Sequence, residues 1–476
     1  MTMIFRSFLS RGGDCTIPCR SRAMGSIPAR GPVPASINLQ VSLRDRRETV
    51  EVAEAGTIAD LKMAVQLALG QGFLKLAALD GRPLNPMDSL RFSGLQDGDS
   101  IAAVAQQPKI ASTSRAFALW CVGGDRIVTW GDPQSGGDSI AITHQLHKVQ
   151  KICGTDYAFA ALLADGSVVT WGVPDYGGDS SRVQVQLRNV QQICGAGNAF
   201  AAIRADGTVV TWGVPHYGGD SSRVQDQLRN VQQIYGTRHA FAALRADQTV
   251  VTWGSPDYGG DSSGVQDQLK NVRKICGTQG ALAAILADGR VVTWGHRFNG
   301  GDSSRVQAQL RNVQQICGSS YGFAAVLTDG AVVTWGNPDF AGDSPGVKDQ
   351  LKNVQQICGT DFAFAAVLAD GSVVTWGVSA GGDSSSVQSQ LRNVQQICGI
   401  EHAFAAILAD GSTVTWGVPD RGGDSSKVQH QLRNVQQICG TSYAFASILA
   451  DGNVVTWGNP KFGGDSSKVQ EQFTYI

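Results

Sequence analysis

Cysteines at one repeated position are the first residues of this chain that could carry chemistry. Seven of the ten share that position, and Tyr235 takes an eighth place: Cys153, Cys194, Cys276, Cys317, Cys358, Cys398 and Cys439. Thiolates bind zinc only where two or more of them reach the same ion. Equivalent positions of neighbouring repeats are normally too far apart for this, and cysteine is among the most frequently buried residues. We therefore expect packing, with no metal site and no disulfide framework.

Tryptophan, aspartate and histidine offer no better catalytic set. A Thr-Trp-Gly triplet closes every repeat and could stack a ligand, but its regular recurrence favours packing between repeats. Aspartates in Asp-Gly and Gly-Gly-Asp-Ser stretches could suggest calcium, yet turns and helix caps account for them. The histidines lack the spacing of a zinc site or a triad, and there is no phosphate-binding glycine loop or nucleophile elbow. We expect a protein that is not an enzyme and uses no cofactor.

Two short stretches differ in every repeat, although the rest of the repeat is nearly copied. One follows the cysteine strand and the other follows Trp-Gly, so both are predicted loops at strand ends, where binding residues concentrate. Aromatic and histidine side chains there suit the anchors of a protein interface. Unconstrained drift of surface loops is the alternative. The candidate protein-binding residues are Tyr157, Tyr176, Tyr217, His239, Tyr321, Phe362, His402 and Tyr443.

The repeat that must position these residues is about 41 residues long. Its tryptophans recur every 41 residues, with one step of 40 from Trp376 to Trp416: Trp130, Trp171, Trp212, Trp253, Trp294, Trp335, Trp376, Trp416 and Trp457. One unit contains three apolar or β-branched runs at residues 190–194, 199–203 and 208–212, which predict three strands. The pair Asp206-Gly207 between the last two predicts a hairpin with a primed turn, whose residues need positive φ.

Two further features of the repeat carry predictions. The turn pair is Asp247-Gln248 in one unit, so Gln248 should be left-handed at a cost of about 1 kcal/mol, and that blade should be the least stable. After each Trp-Gly, a Gly-Gly-Asp-Ser-Ser stretch predicts one or two helical turns, with Asp220 or Ser221 as the N-cap. An extended segment is the alternative there.

Three short strands cannot bury their faces alone, so stacked units are expected. Closing the stack removes exposed sheet edges, which favours a β-propeller over an open solenoid. We predict a mainly β fold in which residues 107–476 form nine units, the first being degenerate. The motifs VQQICG at residues 354–359 and AFAAVLADGSVVTWG at residues 363–377 resemble the regulator-of-chromosome-condensation family. The short period is similar to the compact blades of β-lactamase inhibitor protein II.

The pattern of residues 35–106 predicts a small α+β domain that is separate from the repeats. Alternating runs at residues 37–41 and 48–52 indicate a strand hairpin, and Thr57 and Gly70 suit the start and stop of a helix. With the closing Asp97-Gly98-Asp99 stretch, the pattern is similar to ubiquitin, which implies a β-grasp fold. There is no di-glycine tail, so conjugation is not implied. Ala78 stands where ubiquitin's binding patch has a large aliphatic residue, whereas Val104 matches that patch.

Charge and the first residues bear on compartment and partners. Lys plus Arg is 39 and Asp plus Glu is 40, so the formal charge of −1 argues against nucleic acid or an acidic membrane as partner. No apolar run is long enough to span a membrane. Residues 1–34 are Arg-rich and acid-poor, which predicts a disordered tail or an organelle transit peptide. We otherwise expect a cytoplasmic or nuclear protein.

These observations predict a non-enzymatic interaction scaffold or adaptor. The propeller loops would bind a protein partner, and the ubiquitin-like domain would link it to ubiquitin, proteasome or signalling machinery. The family resemblance implies an alternative, guanine-nucleotide exchange on a small GTPase, although no unit carries an insertion. A third hypothesis is membership of the group of ubiquitin ligases that carry such propellers before a HECT domain. Since 476 − 457 = 19 residues follow Trp457, we expect a non-catalytic relative.

Overall fold

The computed structural model describes residues 35–340 and 346–476 of the 476-residue chain. The tail predicted at residues 1–34 lies outside the described residues. None of the described helices is both long and apolar enough to cross a membrane. The described residues are mainly β, as predicted, and form one four-stranded sheet followed by nine three-stranded sheets.

The amino-terminal domain packs one helix on a mixed sheet. Its elements are β1 (Ser36–Leu43), β2 (Arg46–Ala53), α1 (Ile58–Leu69), β3 (Leu74–Ala78) and β4 (Ser100–Ala105). The sheet order is β2-β1-β4-β3, with β1 and β4 parallel and the other pairs antiparallel. Thr57 and Asp60 cap α1 reciprocally, and Gly70 ends it in the left-handed conformation at φ 58°. The helix limits therefore agree with the predicted start and stop.

Each propeller blade is an antiparallel sheet of three strands. The inner strands are β5 (Pro108–Ser112), β8 (Val149–Gly154), β11 (Val190–Gly195), β14 (Val231–Gly236), β17 (Val272–Gly277), β20 (Val313–Gly318), β23 (Val354–Gly359), β26 (Val394–Gly399) and β29 (Val435–Gly440). The middle strands are β6 (Ala116–Cys121), β9 (Ala158–Leu163), β12 (Ala199–Arg204), β15 (Ala240–Arg245), β18 (Ala281–Leu286), β21 (Gly322–Leu327), β24 (Ala363–Leu368), β27 (Ala403–Leu408) and β30 (Ala444–Leu449). The outer strands are β7 (Ile127–Gly131), β10 (Val168–Gly172), β13 (Val209–Gly213), β16 (Val250–Gly254), β19 (Val291–Gly295), β22 (Val332–Gly336), β25 (Val373–Gly377), β28 (Thr413–Gly417) and β31 (Val454–Gly458).

The two ends of the blade array meet. Inner strands contact one another from blade to blade, and β29 of the ninth blade contacts β5 of the first. The Ser442 amide donates to the Ser114 carbonyl at 2.9 Å, and the Trp130 indole donates to the Gly463 carbonyl at 3.1 Å. The blades thus follow one another around a ring, while every sheet stays confined to its own blade.

The repeated tryptophan joins each blade to the one before it. In the third blade Trp212 stacks on Phe200 at a centroid distance of 5.1 Å, and its indole donates to the Gly177 carbonyl of the preceding blade at 3.1 Å. Gly177 has φ 99°, and a Cβ there would lie 2.7 Å from the Phe200 ring. A side chain at that position would therefore push the blades apart. The tryptophans pack between blades, as the sequence predicted.

The hairpin turn corrects one prediction. Gly207 has φ 75°, but Asp206 is not among the residues with positive φ. The Arg204 amide donates a hydrogen bond to the Thr208 carbonyl, and the Gly207 amide donates one to the Arg204 carbonyl, both at 2.9 Å. This is a three-residue loop closed by a left-handed glycine, not a primed turn, because the Asp206 carboxylate is used to accept the Thr208 amide. Gln248 does adopt the predicted left-handed conformation, at φ 61°.

Short helical turns follow the outer strands. The helical turn predicted after the Gly-Gly-Asp-Ser stretch forms as a 3₁₀ turn at Ile140–Gln145, Ser222–Gln227, Ser263–Gln268 and Ser467–Tyr475, whereas residues 181–186, 304–309, 385–390 and 426–431 form hydrogen-bonded turns only. The Pro-initiated turns lie before that stretch and were not predicted. The 3₁₀ turns are Pro133–Ser135, Ile140–Gln145, Pro174–Tyr176, Pro215–Tyr217, Ser222–Gln227, Pro256–Tyr258, Ser263–Gln268, Arg297–Asn299, Pro419–Arg421, Pro460–Phe462 and Ser467–Tyr475, and α2 is Ser379–Gly382. Asp220 accepts the Ser222 amide at 2.9 Å. Ser221 makes no side-chain cap; its hydroxyl bridges Thr211 and Gln225, because it is buried against the outer strand.

The amino-terminal domain packs on the first and last blades. The buried Lys62 of α1 donates to the carbonyl of Ile476 at 2.7 Å. Gly72 lies so close to Gly452 that a Cβ on it would fall 2.0 Å from the Gly452 Cα. Phe73 joins the apolar core of the first blade, beside Ile110. The short link between β4 and β5 is thus reinforced by polar and apolar contacts.

Candidate functional site

Both variable stretches of the repeat lie at the same end of the ring. In the third blade, the inner strand ends at Gly195 and the middle strand begins at Ala199. Ala199 pairs with Gly213, the last residue of the outer strand. The loop after the inner strand and the loop after the outer strand therefore emerge side by side. We call this end of the ring the loop face.

Aromatic side chains form a belt on the loop face. The belt consists of Tyr157, Tyr176, Tyr217, His239, Tyr258, His296, Phe298, Tyr321, Phe340, Phe362, His402, Tyr443 and Phe462. Ring centroids are 4.6 Å apart from Tyr217 to His239 and 5.3 Å apart from Phe362 to His402. All eight binding residues predicted from the sequence lie in it. Rings from different blades thus merge into a shared surface.

Two arginines extend the belt through their guanidinium groups. The Arg115 guanidinium lies 5.5 Å from the Tyr157 ring and 5.4 Å from the Phe462 ring, so it joins the second blade to the ninth. Arg421 lies 5.0 Å from the Tyr443 ring. Such distances are those of cation–π contacts. The aromatic rings of the belt therefore already contact cationic side chains of the same protein.

A polar funnel occupies the centre of the belt. Its volume is about 470 Å³. One residue from the loop after each inner strand lines the funnel: Ser114, Asp156, Gly197, Arg238, Gln279, Ser320, Asp361, Glu401 and Ser442. Backbone hydrogen bonds link these loops across blades, as from the Asp156 amide to the Gly197 carbonyl at 2.7 Å. Hydrogen bonds between neighbouring blades therefore stabilise the funnel as well as the ring.

One ion pair crosses the funnel wall. Arg238 reaches over the intervening blade to Asp156, with 2.9 Å between nitrogen and oxygen. The intervening residue is Gly197, where a Cβ would fall 2.5 Å from the Arg238 Cγ. Burial raises the pKa of Asp156, and Arg238 opposes that shift. Glycine at this position leaves the room that the pair needs.

A second carboxyl group of the funnel, that of Asp361, has a pKa close to neutral pH. Burial raises the pKa of Asp361 to about 6, against the hydrogen bond that the Ser320 hydroxyl donates to it at 2.6 Å. The nearby Glu401 also raises this pKa. The pKa values of His239 and His402 are lowered, first by burial and then by Arg238 and Arg421, respectively. At neutral pH the funnel therefore combines carboxylates with neutral imidazoles.

The repeated cysteines do not form a reactive site. The Cys153 thiol donates to the Ile193 carbonyl of the next blade at 3.2 Å, and burial raises the pKa of Cys194 to about 12. Every cysteine within the described residues is free. Over residues 35–340 and 346–476, no group of three His, Cys, Asp or Glu side chains is placed to hold a metal ion. The expected packing role agrees with these contacts.

Sequence reasoning missed part of the site. Tyr258 and His296 were passed over because one follows a nearly copied Pro-Asp and the other replaces the usual Val after Trp-Gly. The charged residues Asp156, Arg238 and Glu401 stood in the variable stretch but were not recognised as one cluster. Their signal was position: each directly precedes a belt residue. Only the ring brings those positions to a common centre.

The comparisons with known proteins show similarity to solved structures, but no match to a protein family or a curated protein. Yeast RCC1 (Prp20), solved bound to Kap60, is 14% identical, covers 71% of this chain and 88% of its own, and has a TM-score of 0.40. The ectodomain of the Physcomitrella patens receptor kinase CR4 is 15% identical over 57% of this chain and 72% of that chain, with a TM-score of 0.36.

The amino-terminal domain has a similar solved structure of its own. The ubiquitin-like domain of the 4931431F19Rik protein is 21% identical, covers 18% of this chain and 92% of that chain, and has a TM-score of 0.15. These TM-scores are low, so the fold assignment rests on strand pairing and on the contacts between the first and last blades. The fold and the loop face define a nine-bladed propeller with an aromatic, carboxylate-centred end.

Proposed function

We propose that this chain is a non-enzymatic protein-interaction scaffold whose loop face binds a protein partner. The observation that supports it is the belt of half-buried and exposed aromatic side chains around a funnel, built from the positions at which the repeats differ. Aromatic residues dominate the energy of protein interfaces because they bury large areas with few rotatable bonds.

Rigidity of the support adds to this proposal. Middle-strand residues such as Phe200 and Phe364 are fully buried, and the loops are joined by hydrogen bonds between blades. Side chains that are held in place before binding lose little conformational entropy on association. The loop face therefore suits tight recognition without rearrangement.

The amino-terminal domain supplies a second docking module in this proposal. Its order of strands and helix resembles that of ubiquitin, and we propose that it links the partner to ubiquitin, proteasome or signalling machinery in the cytoplasm or nucleus. Val104 is 51% exposed on β4, whereas Ala78 on β3 is half-buried and small. Losing aliphatic area weakens a small interface, so receptors of ordinary ubiquitin should bind it poorly.

The experiment compares intact variants in cells by proximity labelling. Tyr321→Ala with Phe362→Ala removes two rings that lie 5.5 Å apart in the belt. Val185→Ala is the matched control, because Val185 is 80% exposed in the turn between β10 and β11 of the propeller. We expect the belt variant, but not the control, to lose its labelled partners. Equal labelling by both variants would contradict the proposal.

Guanine-nucleotide exchange on a small GTPase remains the second candidate. It would also use a protein partner, but it adds an activity that can be measured directly. Release of labelled nucleotide from a panel of small GTPases, with and without the intact chain, separates the two. We expect no acceleration, and acceleration that the belt variant abolishes would replace the scaffold with an exchange factor.

A further inference from the structure

The funnel carries an excess of negative charge. Its charged lining residues are Asp156, Asp361, Glu401 and Arg238, which gives a formal charge of 1 − 3 = −2 when the carboxyls are ionised. Arg238 pairs with Asp156 and leaves Asp361 and Glu401 without an arginine partner in the funnel. Glu401 lies 3.8 Å from His402, whose lowered pKa leaves the imidazole neutral at neutral pH. Asp361 and Glu401 therefore line the funnel without a charged partner at ion-pair distance among the described residues, while the charge of Arg238 still acts on both of them.

The wall around these carboxylates is suited to organic cations. The belt holds the guanidinium of Arg115 between two rings and that of Arg421 against a third, at 5.0–5.5 Å. An incoming guanidinium or ammonium group would find further rings, such as Phe362, which follows Asp361 in the chain, and Tyr321, whose ring lies 5.5 Å from that of Phe362. Cations bind aromatic faces most strongly where water is partly excluded.

Size and geometry select the kind of cation. A volume of about 470 Å³ admits one or two side chains, not a folded domain. No trio of acidic, histidine or cysteine ligands converges on a metal ion within residues 35–340 and 346–476. An extended segment can lie across the belt while its side chain enters the funnel.

We propose that the partner bound by the loop face presents a basic segment, and that a lysine or arginine side chain of this segment enters the funnel against Asp361 and Glu401. The proposal rests on the scaffold function and names the chemistry of its partner. Carboxylates would fix the cationic head and belt rings would cover its aliphatic stem, since arginine and lysine bury their stems along apolar surfaces.

Short fluorescent peptides test this with the intact chain. The basic peptide is a Gly-Ser segment with central Arg and Lys residues; its neutral partner carries citrulline and acetyl-lysine, and its acidic partner carries Glu. We expect the neutral peptide to bind at least about tenfold more weakly, because a hydrogen bond to a charged group is worth more than a neutral one. Equal binding of the basic and neutral peptides would overturn the proposal.

Variants assign the effect to the funnel. Glu401→Gln and Asp361→Asn keep the shape of each side chain and remove its charge, and each should weaken the basic peptide at least severalfold. Asp267→Asn removes the same charge from Ser263–Gln268, the exposed outer turn of the fourth blade, and should leave the affinity unchanged. An equal loss in the Asp267→Asn control would indicate a general charge effect and overturn the assignment.

The outcome separates this proposal from the scaffold function. In one outcome, partner labelling in cells depends on the belt, but no basic peptide binds or the acidic peptide binds best. The proposal of a basic segment is then wrong, while the proposed scaffold function is retained. If partner labelling does not depend on the belt, both proposals fail.

Discussion

Replacing Asp361 with asparagine should stabilise the protein at neutral pH. The folded chain raises the pKa of this carboxyl to about 6 from its ordinary value of 3.8, chiefly through burial. The charged form is therefore disfavoured in the folded state relative to the unfolded state. Asparagine mimics the protonated form and can still accept the hydrogen bond from Ser320.

The size of the effect follows from the pKa. A shift of about two units corresponds to roughly 3 kcal/mol, which is an upper limit. Asp361 is only partly shielded from water, so we expect on the order of 1–2 kcal/mol after screening. The entropy of unfolding is about 1 kcal/mol/K for a chain of 476 residues, so Asp361→Asn should raise the melting temperature by roughly 1–2 °C.

The pH dependence gives the sharper test. The raised pKa of Asp361 stabilises the folded native protein fully below pH 3.8. This contribution to the free energy of unfolding is lost as the pH rises through about 6. The difference between variant and native protein should therefore be largest above pH 7 and vanish near pH 3.5. Calorimetry across this range measures it, with Asp267→Asn as the control for net charge. A difference that does not change with pH, or a variant that is less stable at pH 8, would refute the reasoning.

Three further predictions concern the turn, the ion pair and binding. Gln248→Gly should stabilise the protein by up to about 1 kcal/mol, because Gln248 is left-handed at φ 61°, and Gly207→Gln should do the reverse; denaturation curves check both. Gly197→Ala should lower the melting temperature by roughly 1–2 °C, because the new Cβ would displace Arg238 from Asp156; an unchanged melting temperature would show that the pair contributes nothing. Binding of the basic peptide should weaken as pH falls from 7.5 to 5.5, because Asp361 becomes protonated near pH 6 while Arg238 stays charged; titrations by fluorescence anisotropy measure this, and tighter binding at pH 5.5 would contradict it.

Much of the blade was predictable because its interactions are local. The three apolar runs at residues 190–212 predicted strands that the structure places at Val190–Gly195, Ala199–Arg204 and Val209–Gly213. The turn type was wrong because the side chain of Asp206 competes for the Thr208 amide, a choice that the Asp-Gly pair alone does not encode. The left-handed asparagine before seven of the inner strands, such as Asn189 at φ 55°, was visible in the sequence but was not recognised as a turn signal.

The sequence by itself determined the unit: its period, its three strands, the buried tryptophan and the loops that vary. Only the tertiary structure decided which loop residues meet. Asp156 and Arg238 are 238 − 156 = 82 residues apart and pair across a glycine of the blade between them. Trp130 meets Gly463 because the small rotation between successive blades adds up around the ring. The pKa of Asp361 likewise depends on burial among neighbours from several blades, and burial exists only once the ring has formed.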